Sequence, residues 1–310
     1  MMHRLLHGWP GLFSVRTRWL LVAVRILIAY AFLYLILPPV VRQWLPRGDL
    51  LLIPTSRGQY TLAAVVASVL LFTVVLILMQ RRPARLGLRS GRASFRAGLV
   101  GVALLCILVA VTALLYPGLA RGQAEALGLV TRWDFLIHVT WYAWVWSAFR
   151  EELFYRGFVQ TMTQECLPGS WGLLVPLLFF SSAHLHNAPN LLLGLVWVFS
   201  TLPGGLVFTA LYFHTGSLTA PVLAHALNNS VAGLVTGVAI FYPEWLLISC
   251  IMIVGSGCAL LIWQREVLLE LVRATGLRLR RDFAGGIGRG VLMLAVLILG
   301  TLALRHHMPL

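Results

Sequence analysis

The sequence is poor in charge, and it contains no lysine at all. Only 11% of its 310 residues are charged, whereas about a quarter of the residues in a soluble domain are charged. Its mean hydropathy is +0.87, and long apolar runs separate the charged residues. This composition excludes an ordinary water-soluble globular protein and indicates a membrane protein.

Cysteine is also scarce. The four cysteines show no CxxC pair, and three of them lie inside apolar runs: Cys106, Cys166, Cys250 and Cys258. This pattern indicates neither a disulfide framework nor a cysteine-based metal site. We interpret these residues as small buried apolar side chains.

Acidic residues are few, so the formal net charge is +14. A strongly basic chain can bind nucleic acid. Here, however, the arginines lie between apolar runs, where the positive-inside rule places them beside a membrane. We therefore predict an integral, multi-pass membrane protein whose constant partner is the lipid bilayer, with no nucleic-acid partner.

The apolar runs are long enough for spanning helices, each of which needs about 20 residues. They predict an all-α, polytopic transmembrane helix bundle of about eight spans. A ninth apolar stretch, at 291–304, is short, so it is either another span or a helix lying on the membrane surface. The eight predicted spans are 19–38, 60–79, 97–116, 138–162, 171–188, 191–213, 217–241 and 245–263.

Two arginine clusters predict the orientation of the chain. Six arginines lie between residues 81 and 96, and six lie between residues 265 and 289. Both segments should be cytoplasmic, which agrees with eight spans and a cytoplasmic N-terminus. The glycines at 285–290 follow no predicted strand, so we interpret them as a flexible connector and not as a phosphate loop.

Three short groups of polar residues interrupt the later apolar runs. Charged side chains inside a bilayer are costly, so they are rare and usually functional. The groups are Arg150-Glu151-Glu152-Leu153-Phe154-Tyr155-Arg156, Phe180-Ser181-Ser182-Ala183-His184 and His225-Ala226-Leu227-Asn228-Asn229.

Helical spacing predicts which of these side chains can act together. Glu152 and Arg156 are four residues apart with the acid first, which favours an ion pair on one helix face. Glu151 points about 100° away from that pair and has no basic residue at the matching position. His225 and Asn229 also share one face.

The groups also lie at a similar depth. At a rise of about 1.5 Å per residue, Glu151, His184, His225 and Asn229 all lie about 14–20 Å from the predicted cytoplasmic surface. We expect these four side chains to line one water-filled cavity that opens to the cytoplasm or to the inner leaflet.

The three groups resemble the motifs of the CAAX-protease and bacteriocin-processing family, whose best-known members are the CAAX prenyl endopeptidases. The matching patterns are Glu151-Glu152-x-x-x-Arg156, Phe180-x-x-x-His184 and His225-x-x-x-Asn229, and they occur in order within about residues 140–235. The resemblance predicts a protease core at 131–263. Membrane spans at 1–130 precede it, and a basic cytoplasmic segment with an apolar helix follows at 264–310.

The resemblance implies an eight-helix intramembrane endopeptidase of the glutamate type, acting on a membrane-anchored or lipidated protein. In that family, the residue matching Glu151 is the proposed general base, and the one matching His184 helps to hold the water. The pair matching His225 and Asn229 is proposed to stabilise the oxyanion. Three further motif residues are interpreted as supporting: Glu152, Arg156 and Phe180.

Two other classes of function use the same residues. One is a catalytically silent scaffold that binds a peptide or a partner in the cavity, and the other is a transporter or proton relay. Zinc is the alternative cofactor, because two histidines and a glutamate form a known catalytic zinc set, here His184, His225 and Glu151. Since HExxH is absent and the amide of Asn229 is a poor zinc ligand, we predict no cofactor.

Overall fold

A computed structural model describes residues 18–37, 40, 62–80, 83–88, 90–116, 118, 138–167, 169–187, 191–280 and 283–307. These residues are almost entirely helical, and no strand occurs among them. Helices satisfy every backbone hydrogen bond within one segment, which lipid requires because it offers no partners. The predicted all-α fold is confirmed.

The helices follow the predicted apolar runs closely, and we label them α1 to α10. The fourth, α4, covers residues 138–166 and alternates between π-helical and α-helical geometry, and π-helical turns also extend α1 through Ala31–Ile36. The others are α1 (Arg18–Tyr30), α2 (Leu62–Gln80), α3 (Arg92–Leu115), α5 (Trp171–Ser182), α6 (Leu191–Thr215), α7 (Thr219–Phe241), α8 (Leu246–Trp263), α9 (Arg265–Arg280) and α10 (Phe283–His307).

Six helical segments of the described chain are long and apolar enough to cross a membrane. Two shorter apolar helices match the predicted spans at 60–79 and 171–188: Val66–Ile77 and Trp171–Leu185. The predicted span at 138–162 corresponds to α4, which carries the charged motif. The six long segments are Arg18–Ile36, Arg92–Leu115, Gly194–Thr215, Thr219–Phe241, Pro243–Trp263 and Gly286–Leu304.

The C-terminal region differs from the prediction. The segment 285–290 is not a flexible connector, because it forms the first turns of the 25-residue helix α10. A Cβ on Gly290 would collide with the ring of Trp171, and one on Gly300 would lie 2.7 Å from Leu27 Cδ1. The glycines therefore let α10 pack closely against α5 and α1, so this helix belongs to the bundle.

Aromatic packing fixes the position of α4. Phe154 of α4 lies within 6.3 Å, between ring centroids, of Tyr30, Tyr34 and Phe72 from α1 and α2. Phe154 is fully buried. The side of α4 that carries Phe154 is thereby locked against α1 and α2, and the charged motif next to it is held in a fixed position.

Candidate active site

Five helices, α3 to α7, line a cavity of about 310 Å³. The structure brings all four predicted catalytic side chains to its wall: Glu151 from α4, His184 just beyond α5, and His225 and Asn229 from α7. Helices α3 and α6 supply most of the remaining lining. A carboxylate, two imidazoles and an amide therefore share one space.

Beneath the cavity lies a buried cluster formed by Glu152, Arg156 and His225. Oε1 of Glu152 accepts hydrogen bonds from Arg156 Nη1 at 3.0 Å and from His225 Nδ1 at 2.7 Å. Arg156 Nη2 donates to the carbonyl oxygen of Gly205 at 3.2 Å. The glutamate and the arginine are fully inaccessible to solvent. The predicted ion pair is present, and His225 is attached to it.

Aromatic rings hold this buried cluster in place. The ring of His225 stacks on Phe208 with centroids 4.5 Å apart. The guanidinium of Arg156 lies 4.2 Å above the ring of Phe180, and Phe180 also packs edge-on against His184 at 4.9 Å. Phe180 therefore contacts both the buried arginine and a cavity histidine, consistent with the supporting role predicted for it.

Glu151 has different surroundings. Its carboxylate belongs to a cavity cluster formed by Ser147, Glu151 and Asn229. Asn229 Nδ2 donates to Ser147 Oγ at 3.0 Å, and that hydroxyl lies 3.5 Å from Glu151 Oε1. Arg150 Nη2 is 3.9 Å from Glu151 Oε1. This basic neighbour was not predicted, because only the position four residues after Glu151 was considered. The Arg150 guanidinium lies chiefly on the ring of Trp146, 3.9 Å from its centroid.

The hydrogen bonds also determine which ring nitrogens remain available. The carbonyl oxygen of Phe180 can only accept, so Nδ1 of His184 donates to it at 3.0 Å. Nδ1 of His225 likewise donates to the carboxylate of Glu152. Nε2 of each imidazole is therefore available for a second hydrogen bond. It accepts that bond when the ring is neutral and donates it when the ring is protonated.

The metal alternative finds limited geometric support. Within the described residues, no three His, Cys, Asp or Glu side chains are grouped closely enough to hold a metal ion. The absence of a cofactor stays a prediction, because binding itself is a matter for experiment.

Sequence reasoning missed three contributors to the site: Ser147, Gly205 and Phe208. Serine and glycine are ordinary residues in membrane helices, and Phe208 is one aromatic residue among many in the apolar runs. The available signals were the position of Ser147, one turn before Glu151, and the Pro203-Gly204-Gly205 step in the middle of α6. A Cβ on Gly205 would lie 2.8 Å from Leu177 Cδ1, so the glycine allows close packing.

Comparison with known families places this geometry in context. Residues 133–231 match the family described as type II CAAX prenyl endopeptidase Rce1-like. The matched segment contains all seven predicted site residues. No curated protein and no solved structure matches the chain.

The family match, the order of the three motifs and the helical membrane fold agree with one another. The match confirms the resemblance to the CAAX-protease family, and the six long apolar helices confirm a multi-pass membrane protein. Residues 133–231 of this multi-pass helical membrane protein are therefore similar to the Rce1-like family of CAAX prenyl endopeptidases, which supports the fold of a CAAX-type intramembrane protease.

Proposed function

We propose that this protein is an intramembrane endopeptidase that hydrolyses a peptide bond of a membrane-anchored or lipidated protein, using water activated by Glu151. The observation that carries the proposal is the shared cavity of Glu151, His184, His225 and Asn229. Peptide hydrolysis needs a base beside the water and donors where the oxyanion forms, and these four side chains supply both.

The base is the carboxylate that the fold leaves exposed to the cavity. Among the described residues, Glu151 Oε1 has Ser147 Oγ at 3.5 Å and Arg150 Nη2 at 3.9 Å, whereas Glu152 Oε1 accepts short hydrogen bonds from Arg156 and His225. A water between Glu151 and Nε2 of His184 would lose its proton to Glu151 as its oxygen attacks the peptide carbonyl carbon. Glu151 then returns that proton to the leaving amine as the C–N bond breaks.

The oxyanion is assigned to the groups on α7. The side-chain oxygen of Asn229 accepts from Asn228 Nδ2 at 3.3 Å, which fixes the orientation of the amide. One N–H of Asn229 is donated to Ser147, and the second is available to the oxyanion. With Nδ1 bound to Glu152, His225 can donate to the oxyanion through Nε2 when the ring carries both protons.

The proposal requires that cleavage depend on Glu151 in the whole protein. Membranes from cells that contain the native chain would be compared with membranes containing Glu151→Gln, and new peptide termini would be identified by mass spectrometry. We expect a set of membrane proteins to be cleaved only with the native chain. Identical termini in both samples, with both proteins folded, would contradict hydrolysis and favour the scaffold alternative.

Metal-free chemistry is part of the proposal. Each of the four cavity groups has a role in moving a proton or holding charge, so none needs to serve as a metal ligand.

A further inference from the structure

One end of the bundle carries the arginine-rich segments, and we call it the arginine face. Its position is fixed by contacts made by the residues between the arginines. The amide of Leu218 donates to the carbonyl of Gly87 at 2.9 Å, and Thr161 Oγ1 donates to the carbonyl of Arg85 at 3.4 Å. Arg96 Nε donates to Gln264 Oε1 at 2.9 Å. The ends of α4, α6 and α8 and the beginnings of α3 and α7 therefore lie at this face.

The cavity extends away from the arginine face. On α3, which begins at that face, the lining residues run from Leu105 to Tyr116 at the far end. On α7, they run from His225 to Thr236. At about 1.5 Å per residue, the far lining of α7 lies roughly 25 Å from the arginine face. The catalytic groups form the inner end of the cavity, and the rest of it leads to the opposite side.

Buried side chains close the cavity on the side that faces the arginine face. Arg156 and Gln160 of α4 and Leu211 of α6 are completely inaccessible, and Leu218 at the start of α7 is 3% exposed. Gln160 Nε2 donates to the carbonyl of Thr209 at 3.1 Å, which ties α4 to α6 at this level. In the part of the chain that the structure describes, the cavity is sealed toward the arginine face.

Helices α3 and α6 diverge beside the cavity. They touch near the arginine face, where a Cβ on Gly101 would lie 2.6 Å from Leu211 Cδ1 and 3.3 Å from Val207 Cγ1. Farther out, the residues that α3 and α6 turn to the cavity include Leu108 and Ser200, both of which are exposed. Because these residues line the cavity and are exposed, we infer that the cavity opens through a gap between the two helices.

The walls of the gap suit an extended polypeptide segment. Apolar side chains, such as Leu105 and Val109, alternate with the hydroxyls of Thr112, Ser200 and Thr201. The hydroxyl oxygens can accept hydrogen bonds from peptide N–H groups, and the apolar side chains can pack against side chains of a membrane segment.

Two expectations from the sequence now conflict. The arginine segments were expected in the cytoplasm, and the cavity was expected to open to the cytoplasm or to the inner leaflet, yet its lining leads away from the arginine face. The arginine asymmetry has a direct physical basis in membrane insertion, whereas the direction of opening was assigned from depth alone. We keep the first expectation and revise the second.

We propose that the substrate is a membrane-anchored polypeptide whose extended segment enters sideways between α3 and α6, from the half of the bilayer opposite the arginine face. With the arginine face in the cytoplasm, this is the outer half. This inference rests on the proposed function, because it takes the polypeptide that enters the cavity to be a substrate. The route itself depends on the fold and not on cleavage. It directs the search for substrates to proteins anchored in the outer leaflet or exposed on the extracytoplasmic side.

The route can be tested without any assay of cleavage. In a chain whose four cysteines are replaced by alanine, a single cysteine is placed at Ser200 in the gap or at Ser90 beside the arginine segments. Intact cells are treated with a small membrane-impermeant thiol reagent. We expect S200C to react in intact cells and S90C to react only after permeabilisation.

Every other pattern would overturn the route. Reaction of both cysteines from the same side would place the cavity mouth and the arginine segments together. A failure of S200C to react from either side would mean that no water path reaches the gap. If the alanine background does not fold, the same pair is compared in a chain in which only the exposed Cys258 is replaced.

A second experiment tests the gap as the path of the substrate. S200W should fill the gap and slow cleavage of a membrane-anchored substrate by about tenfold or more, the scale expected for overpacking. The matched control is F199W, because Phe199 is 66% exposed and is not part of the cavity wall. Equal activity of both variants would overturn lateral entry. Absence of cleavage by the native chain would instead refute the proposed function and leave the labelling result standing.

Discussion

The buried cluster and the cavity cluster lie next to each other on α4, yet their environments are opposite. Glu152 has no solvent contact and binds a guanidinium and an imidazole, whereas Glu151 borders a cavity and makes only long contacts. Two identical carboxylates, adjacent in sequence, are thereby given different tasks by the roughly 100° that separates neighbouring residues on a helix. Under the proposed function, the buried carboxylate holds other groups in place, and the cavity carboxylate acts as the base.

The largest effect is expected from a substitution that breaks the buried cluster. Glu152→Gln leaves the fully buried Arg156 without its counter-ion and removes the charged acceptor of His225. We expect a loss of about 3–5 kcal/mol in the free energy of unfolding, as for other broken buried ion pairs. Thermal unfolding in detergent micelles and the yield of folded protein would measure it.

Two controls make that result specific. Glu151→Gln, the same change one residue earlier, should leave stability unchanged. Combining Glu152→Gln with Arg156→Met removes both charges and should recover part of the lost stability. If Glu151→Gln were the more destabilising change, the roles of the two glutamates would be exchanged.

The next effect concerns turnover. Glu151→Gln should fold normally and should reduce the rate of peptide hydrolysis by at least about 10²-fold, because it removes the general base. The measurement is cleavage by purified protein of a substrate identified from the membrane comparison. Residual activity near that of the native chain would exclude Glu151 as the base.

A smaller effect is expected at Ser147, which connects Asn229 with Glu151. Ser147→Ala should lower kcat by about tenfold, the value of roughly one ordinary hydrogen bond, with little change in KM. Ser147→Thr keeps the hydroxyl and should restore most of the rate. The control is Ser182→Ala, because Ser182 donates to the carbonyl of Phe179 in its own helix. Equal losses at the two serines would contradict a positioning role.

The smallest expected effect is that of metal removal. Exhaustive treatment of the purified protein with a strong chelator should leave the rate of cleavage unchanged, since each cavity group already has a role in metal-free hydrolysis. Bound metal would be measured in parallel. Activity that disappears on chelation and returns with stoichiometric zinc would make His184, His225 and Glu151 the ligands.

Much of this molecule could be predicted from its sequence because the bilayer imposes simple rules. A charge such as that of Glu152 or Arg156 is conspicuous in an apolar run, and helical spacing correctly paired the two. The apolar runs located the helices to within a few residues. These features depend on the polarity of side chains and on the helical repeat. They can therefore be predicted from the sequence without knowledge of how the helices pack.

Features that depend on several helices were not predictable. The bond between Glu152 and His225 joins α4 to α7, and its existence depends on how those helices rotate against each other. The side to which the cavity leads was also not readable from the sequence: its lining runs along α3 and α7 away from the arginine face. The depth of a residue can be counted along its helix. The side on which side chains close the cavity, however, depends on packing between helices, among residues such as Gln160 and Leu211.

The sealed layer beneath the site has a consequence for the cell as a whole. A protein that brings water to the middle of a bilayer shortens the barrier that maintains ion gradients. In the described part of the chain, the layer containing Arg156, Gln160, Leu211 and Leu218 then separates the cavity from the arginine face, and its one guanidinium is neutralised by Glu152. Replacing Leu211 or Leu218 with small residues should therefore dissipate the membrane potential, even in a variant that cannot cleave anything.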